Sequence, residues 1–146
     1  MFEISVQTDF SAAHNLRQYR GKCEQLHGHN WQVEAVFGGS TLDRAGMVVD
    51  FKIARRRLHD VLKQFDHRYL NKTAYFSTVN PTSEHLARFI FRELSKKIAR
   101  APYRLLRVSV WETPLSRATY FEELPSGDAP ASILKEKTAG RKLRRR

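Results

Sequence analysis

The chain has 146 residues, 41% of them hydrophobic, which fits one domain with a real core. A single cysteine excludes an internal disulfide, and no apolar run approaches the roughly 18 to 20 residues of a membrane-spanning helix. The formal net charge is +11, and a basic body suits an anionic, phosphate-bearing ligand.

Residues 126–146 carry seven Lys and Arg against Asp128 and Glu136, a net of +5, and the remaining +6 lies on residues 1–125. Low hydrophobicity and high charge from Ser126 onward predict a disordered tail behind one domain over 1–125. Met1-Phe2-Glu3-Ile4 has neither a basic nor an apolar leader region, so a reducing, cytoplasmic setting is expected, with the thiol free to act.

Phe2 to Phe10 alternates apolar and polar residues, the period of a half-buried antiparallel strand. Ser11-Ala12-Ala13-His14 continues it with small residues that leave His14 room. Residues 15–22 are polar and read as a loop. A second strand runs from about His27 to Phe37 and ends at Gly38-Gly39-Ser40. Asp50 is a good N-cap for a helix over about 51–64, with Ile53, Leu58, Val61, Leu62 and Phe65 as its apolar stripe. Asp66 to Asn71 begins a loop. A second helix starts near Asn80-Pro81-Thr82, with either Asn80 or Thr82 as cap, and its stripe is Leu86, Phe89, Ile90, Leu94 and Ile98. Ala101-Pro102 stops it. Leu106–Glu112 and Arg117–Glu122 make two further strands around Thr113-Pro114-Leu115-Ser116. The order ββααββ predicts an α+β domain: a four-stranded antiparallel sheet with both helices on one face.

Residues two apart on a strand point the same way, so His27 and His29 project from one face, with Gly28 leaving the space between them open. His14 lies on the strand expected to pair with them. Three imidazoles with an open position are the usual form of a catalytic zinc centre. Cys23 stands in the loop leading into that centre, where a cation and imidazoles favour the thiolate, able to abstract a proton or attack. Asp66-His67 places a carboxylate beside an imidazole at a helix end, a proton relay or a helix-terminating cap. Glu112 ends an apolar strand. Buried there it needs partners, and its carboxylate can accept two parallel hydrogen bonds from an amidine-like edge. His59 and His85 read as ordinary helix-surface histidines.

Phe10-Ser11-Ala12-Ala13-His14, Cys23-x-x-x-His27-Gly28-His29, Asp66-His67-x-x-Leu70-Asn71, Pro81-Thr82-Ser83-Glu84 and Trp111-Glu112-Thr113 occur in this order. Together they resemble the 6-pyruvoyltetrahydropterin synthase family over about residues 1–123. The three-residue gap between Cys23 and His27 resembles the 6-carboxytetrahydropterin synthase branch of the queuosine pathway rather than the pyruvoyl branch. The resemblance implies a tunnelling fold, with subunits joining their sheets into barrels, and a homohexamer built from two trimers with sites between subunits. It implies zinc on His14, His27 and His29, Cys23 as general base, and Asp66 and His67 as a proton relay reaching in from a neighbouring subunit. Glu112 then holds the pterin amidine edge, with the backbone near Thr82 and Ser83 beside it. The implied reaction takes 7,8-dihydroneopterin triphosphate to 6-carboxytetrahydropterin, acetaldehyde and triphosphate. His85 stands where the family usually has Asn, and the basic tail lies beyond the family's usual end.

Glu24 follows Cys23 directly, so the sequence also resembles the Glu-x-x-His-Gly-His pattern of a branch that cleaves the same substrate to 6-hydroxymethyl-7,8-dihydropterin for folate synthesis. Glu24 as a second base, or as a solvated loop charge, are both open readings, as is the pyruvoyl product. A zinc-stabilised scaffold that binds pterins without turnover is the non-enzyme alternative. No nucleic-acid partner is expected. The tail could contact phosphates in a salt-dependent way, but it has no aromatic residue among its basic ones for base stacking.

Overall fold

A computed structural model describes residues 1–123. The tail predicted from Ser126, and the boundary at residue 125, lie outside the described residues. The elements are β1 (Phe2–His14), β2 (His27–Gly39), α1 (Phe51–Leu62), β3 (Arg68–Tyr69), α2 (Ser83–Ile98), β4 (Arg104–Thr113) and β5 (Ser116–Tyr120). They build an α+β fold around one sheet of order β3-β1-β2-β4-β5.

Alternation decides which way each strand faces. In β1 the even residues Val6, Phe10, Ala12 and His14 are buried. Antiparallel pairing sets Phe10 opposite Trp31 and His14 opposite His27, so the odd residues of β2, from His27 through Trp31 and Val33 to Phe37, share that face. Val108 and Val110 of β4 join them. The helices cover this face. Ala54, Leu58, Val61 and Leu62 of α1, with Phe65 just after it, and Leu86, Ile90 and Leu94 of α2 pack with the strand residues into one core. Trp31, Phe37 and Phe65 are fully buried, and burying such side chains stabilises the fold by about 1.5–3 kcal/mol each. The opposite face is polar: Gln7 donates to Glu34 and accepts from Gln32 across neighbouring strands.

Asp50 caps α1 by accepting from the Lys52 amide at 2.6 Å. Of the two caps considered for α2, Thr82 is the one used, accepting from the His85 amide at 3.3 Å. Ile53 is exposed, contrary to the expected stripe, and Ala54 takes the inward place. The helical spacing 54, 58, 61, 65 fits the contact face better than one starting at Ile53.

The sheet has five strands, not the expected four, and not all are antiparallel. β3 runs parallel to β1, pairing Ala12 with Arg68 and Ala13 with Tyr69. Two residues are too few to show any periodicity. The segment read as a loop is drawn onto the β1 edge by two bonds at Ser11: its carbonyl accepts from the His67 amide at 2.6 Å, and its amide donates to Asp66 Oδ1 at 3.0 Å.

Candidate metal centre and active site

At one end of the helix-bearing face the core stops and polar groups begin. His14 ends β1, His27 and His29 open β2, and Glu112 lies near the end of β4. Strand parity aims all four the same way, and one ligand atom from each falls within 4.8 Å of the others. Trp31 floors the group, its ring 4.9 Å from that of His14 and 5.2 Å from that of His29. The Trp31 indole N–H donates to the Ala12 carbonyl, so the floor is itself tied to β1. Gly28 is not what keeps the site open: a Cβ there would meet nothing closer than the Ala12 carbonyl, at 3.8 Å.

Backbone carbonyls set the tautomers. His14 Nδ1 lies 2.8 Å from the Pro81 carbonyl oxygen, and His27 Nδ1 lies 2.7 Å from that of Gln25. A carbonyl only accepts, so both Nδ1 atoms carry protons. Both Nε2 atoms then present lone pairs, yet they face each other at 3.0 Å. Two bare lone pairs at that distance repel unless a cation lies against both. His29 Nε2 is buried without a hydrogen-bond partner, and a Glu112 carboxylate oxygen lies 3.0 Å from it. Burial holds His14 and His29 below the ordinary imidazole pKa of 6.5, outweighing the opposing pull of Glu112, so both favour the neutral, ligating form. An orphaned buried nitrogen, opposed lone pairs and ring N–H groups anchored on carbonyls are what a metal-binding imidazole set requires. The donors fit a transition metal such as zinc.

Glu112 is the residue expected at the pterin edge. In the fold it joins the imidazoles, because it shares their face and its strand ends level with them. His14 and Glu112 also line a cavity of roughly 300 Å³ together with Cys23, Thr82 and Ser83. Most of the predicted site residues therefore meet, although they are scattered over the sequence. Cys23 is half-buried on a single 3₁₀ turn, Lys22–Glu24. Glu24 is exposed and is not among the cavity's lining residues. Asp66 and His67 do form a pair, with His67 Nδ1 3.0 Å from Asp66 Oδ1, but they sit at the β3 edge outside that cavity, and the His67 side chain is 82% exposed. His59 is exposed, and His85 is turned to the Asn80 carbonyl.

A network that sequence reasoning missed holds this end of the sheet. Buried Asn71 exchanges two hydrogen bonds with the Asn15 backbone, accepting at 3.0 Å and donating at 2.8 Å. Tyr69 donates to the Asn15 side chain, whose amide donates to the Glu24 carbonyl. The Leu16 amide donates to the Cys23 carbonyl. Arg17 spends its guanidinium on the carbonyls of Asn71, Phe76 and Val79. Asn71 is visible in the Asp-His-x-x-Leu-Asn motif. The carbonyls of Gln25 and Pro81 leave no signal, since a backbone oxygen has no residue identity.

A family model described as 6-pyruvoyl tetrahydropterin synthase matches residues 3–123. The chain belongs to that family. It is a pterin-processing enzyme of the 6-pyruvoyl tetrahydropterin synthase family. It is 36% identical to a 6-carboxy-5,6,7,8-tetrahydropterin synthase of Synechocystis sp., over 83% of this chain and 94% of that one. It is 34% identical to a dihydroneopterin monophosphate aldolase of Pyrococcus furiosus, over 75% of this chain and 88% of that one. Its fold matches the structure of 6-pyruvoyl tetrahydropterin synthase from Caenorhabditis elegans with a TM-score of 0.75 and 31% identity, covering 84% of this chain and 96% of that one. Among the described residues, no helix is long and apolar enough to cross a membrane.

Proposed function

We propose that this family member converts 7,8-dihydroneopterin triphosphate to 6-carboxytetrahydropterin, acetaldehyde and triphosphate, a step toward 7-deazapurines such as queuosine. The observation that carries this reading is the single cavity shared by His14, Cys23, Thr82, Ser83 and Glu112. Relatives named as 6-carboxytetrahydropterin synthases support the choice of product, as does the three-residue gap between Cys23 and His27.

His14, His27 and His29 would hold the zinc. Bound there, zinc supplies Lewis acidity toward the hydroxyls and developing carbonyl of the substrate side chain. Glu112 accepts the two amidine N–H groups of the pterin and fixes its orientation. The backbone around Thr82 and Ser83, at the start of α2, lies beside the ring. Cys23 removes a proton from a side-chain carbon. Asp66 orients His67 through Nδ1, leaving Nε2 to hand protons on. Since that pair stands outside its own chain's cavity, it serves a neighbouring subunit in a hexamer of two trimers. Light scattering at micromolar concentration tests this, and a monomer there would remove the arrangement. The setting is cytoplasmic.

A second reading is retro-aldol cleavage to 6-hydroxymethyl-7,8-dihydropterin, with Glu24 as base. The relative named as an aldolase favours it. The pyruvoyl product and a non-catalytic pterin-binding scaffold stand behind these two. Incubation of the zinc-loaded protein with 7,8-dihydroneopterin triphosphate, followed by mass spectrometry, separates all four. The carboxy product with acetaldehyde is expected. The hydroxymethyl or pyruvoyl compound as main product would replace the assignment, and no turnover would leave the scaffold.

A further inference from the structure

The Asp66-His67 pair borders a second cavity, of roughly 630 Å³, whose lining includes His67, Arg68, Tyr69, Lys72 and Thr73. It lies at the β3 edge of the sheet and shares no lining residue with the cavity around His14 and Cys23. Two cations, Arg68 and Lys72, face it. Among the described residues neither has a carboxylate within ion-pair distance, whereas Lys63 and Lys96 are paired with Asp60 and Glu93. Lys72 is placed over the Tyr69 ring, its Nζ 5.8 Å from the ring centre. Asp66 is the nearby acid, and its Oδ1 is already engaged by the Ser11 amide and His67.

The wall of this cavity is built rather than incidental. His67 holds a left-handed backbone, φ 55°, which costs a non-glycine residue energy and persists only where its surroundings fix it. Here the fixing bonds are that of the His67 amide to the Ser11 carbonyl and, one residue earlier, that of the Ser11 amide to the Asp66 carboxylate. Tyr69 is anchored through its hydroxyl to Asn15, and Thr73 through its hydroxyl to the Leu70 carbonyl. Free cations on a rigid concave wall match a ligand with several negative oxygens. Arg offers paired N–H donors, and Lys a point charge, to phosphate.

We infer that the cavity lined by Arg68 and Lys72 is a polyphosphate subsite, which holds the phosphate chain of the substrate while His67 addresses its carbon side chain. This rests on the proposed reaction for the identity of the substrate, but the anion site itself does not. The subsite also gives a basis for discriminating by phosphate content. A substrate lacking phosphate forgoes these contacts, and a monophosphate engages fewer of them.

The full-length protein is titrated with inorganic tripolyphosphate by calorimetry at physiological salt, alongside Lys72→Ala, Arg68→Ala and, as a control for general charge loss, Lys96→Ala. Both cavity residues are exposed, so the variants should fold, which circular dichroism checks. Lys72→Ala and Arg68→Ala should each weaken binding roughly tenfold or more, with Lys96→Ala unchanged. In turnover, KM for the triphosphate substrate should rise by a similar factor, while KM for unphosphorylated dihydroneopterin stays constant. Tripolyphosphate affinity equal in wild type and both cavity variants overturns the subsite, as does an equal rise in KM for both substrates. If the variants lose tripolyphosphate binding although the protein gives a different pterin product, the subsite stands and only the proposed reaction falls.

Discussion

The Nε2 atoms of His14 and His27 face each other at 3.0 Å while both rings give their Nδ1 protons to backbone carbonyls. The backbone thus fixes which nitrogens are free, before any ion arrives. His29 completes the set from the same face of β2. His29→Ala should therefore lose zinc and turnover together. Metal analysis of the purified variant checks this, and full zinc occupancy would refute the three-histidine centre.

Glu112 lies between two roles, beside the imidazoles and on the wall of the cavity. As the pterin anchor, its replacement by Gln removes a charge-assisted contact of about 1.5–3 kcal/mol. Glu112→Gln should raise KM roughly tenfold to a hundredfold with zinc content unchanged. Loss of zinc in that variant would make Glu112 a fourth ligand instead.

Cys23 and Glu24 are adjacent but differently placed, the first lining the cavity and the second exposed. Cys23→Ala should abolish the carboxy product while sparing any hydroxymethyl product, and Glu24→Gln should do the reverse. If wild type yields no hydroxymethyldihydropterin, or Glu24→Gln leaves its yield unchanged, Glu24 has no part in the chemistry.

The Ser11 amide, with a smaller contribution from His67, holds the Asp66 carboxyl below its ordinary value of 3.8. A depressed folded pKa contributes stability above the unfolded value, which is lost as the pH falls through the folded one. The stability gap between wild type and Asp66→Asn should be constant above about pH 5 and close on further acidification. Urea melts across that range test it. A gap that widens toward acid would reverse the sign and rule out the Ser11 contact as its origin.

Asn71 is buried and exchanges two hydrogen bonds with Asn15. Asn71→Ala leaves those backbone groups unpaired, at a cost of about 1–3 kcal/mol. Denaturant melts should show this loss. Hydrogen exchange should rise in residues 15–25, which the network tethers. Unchanged exchange there would confine the role of Asn71 to local stability.

Much of this was legible in the sequence because periodicity and chemistry coincide. Alternation in β1 and β2 gave the sheet face, and that face alone places His14, His27 and His29 together. Asp50 and Pro81-Thr82 marked both helix starts within a residue or two. The misses share a cause: they depend on tertiary pairing rather than local pattern. β3 has two residues and exists because of Ser11. Ile53 yields to Ala54 because the face that α1 turns to the sheet follows the spacing 54, 58, 61 and 65, and an alanine carries little hydrophobic signal of its own. The position of Glu112 beside the imidazoles follows from where β4 ends relative to β2, which neither strand's sequence states.

The hairpin of β1 and β2 pairs thirteen residues of each strand without a register shift, and His14 opposite His27 is the rung next to its connecting loop. All three imidazoles fall between residues 14 and 29, so bringing them together closes only a short loop, and such closures are fast and entropically cheap. Pro81 and Glu112 come from much later in the chain. A growing polypeptide therefore brings the three imidazoles together with one hairpin, whereas the carbonyl that fixes the His14 tautomer and the carboxylate beside His29 wait for the start of α2 and for β4. Assembly of the imidazoles and completion of the cavity around them are therefore separable steps in folding, the first local and the second not.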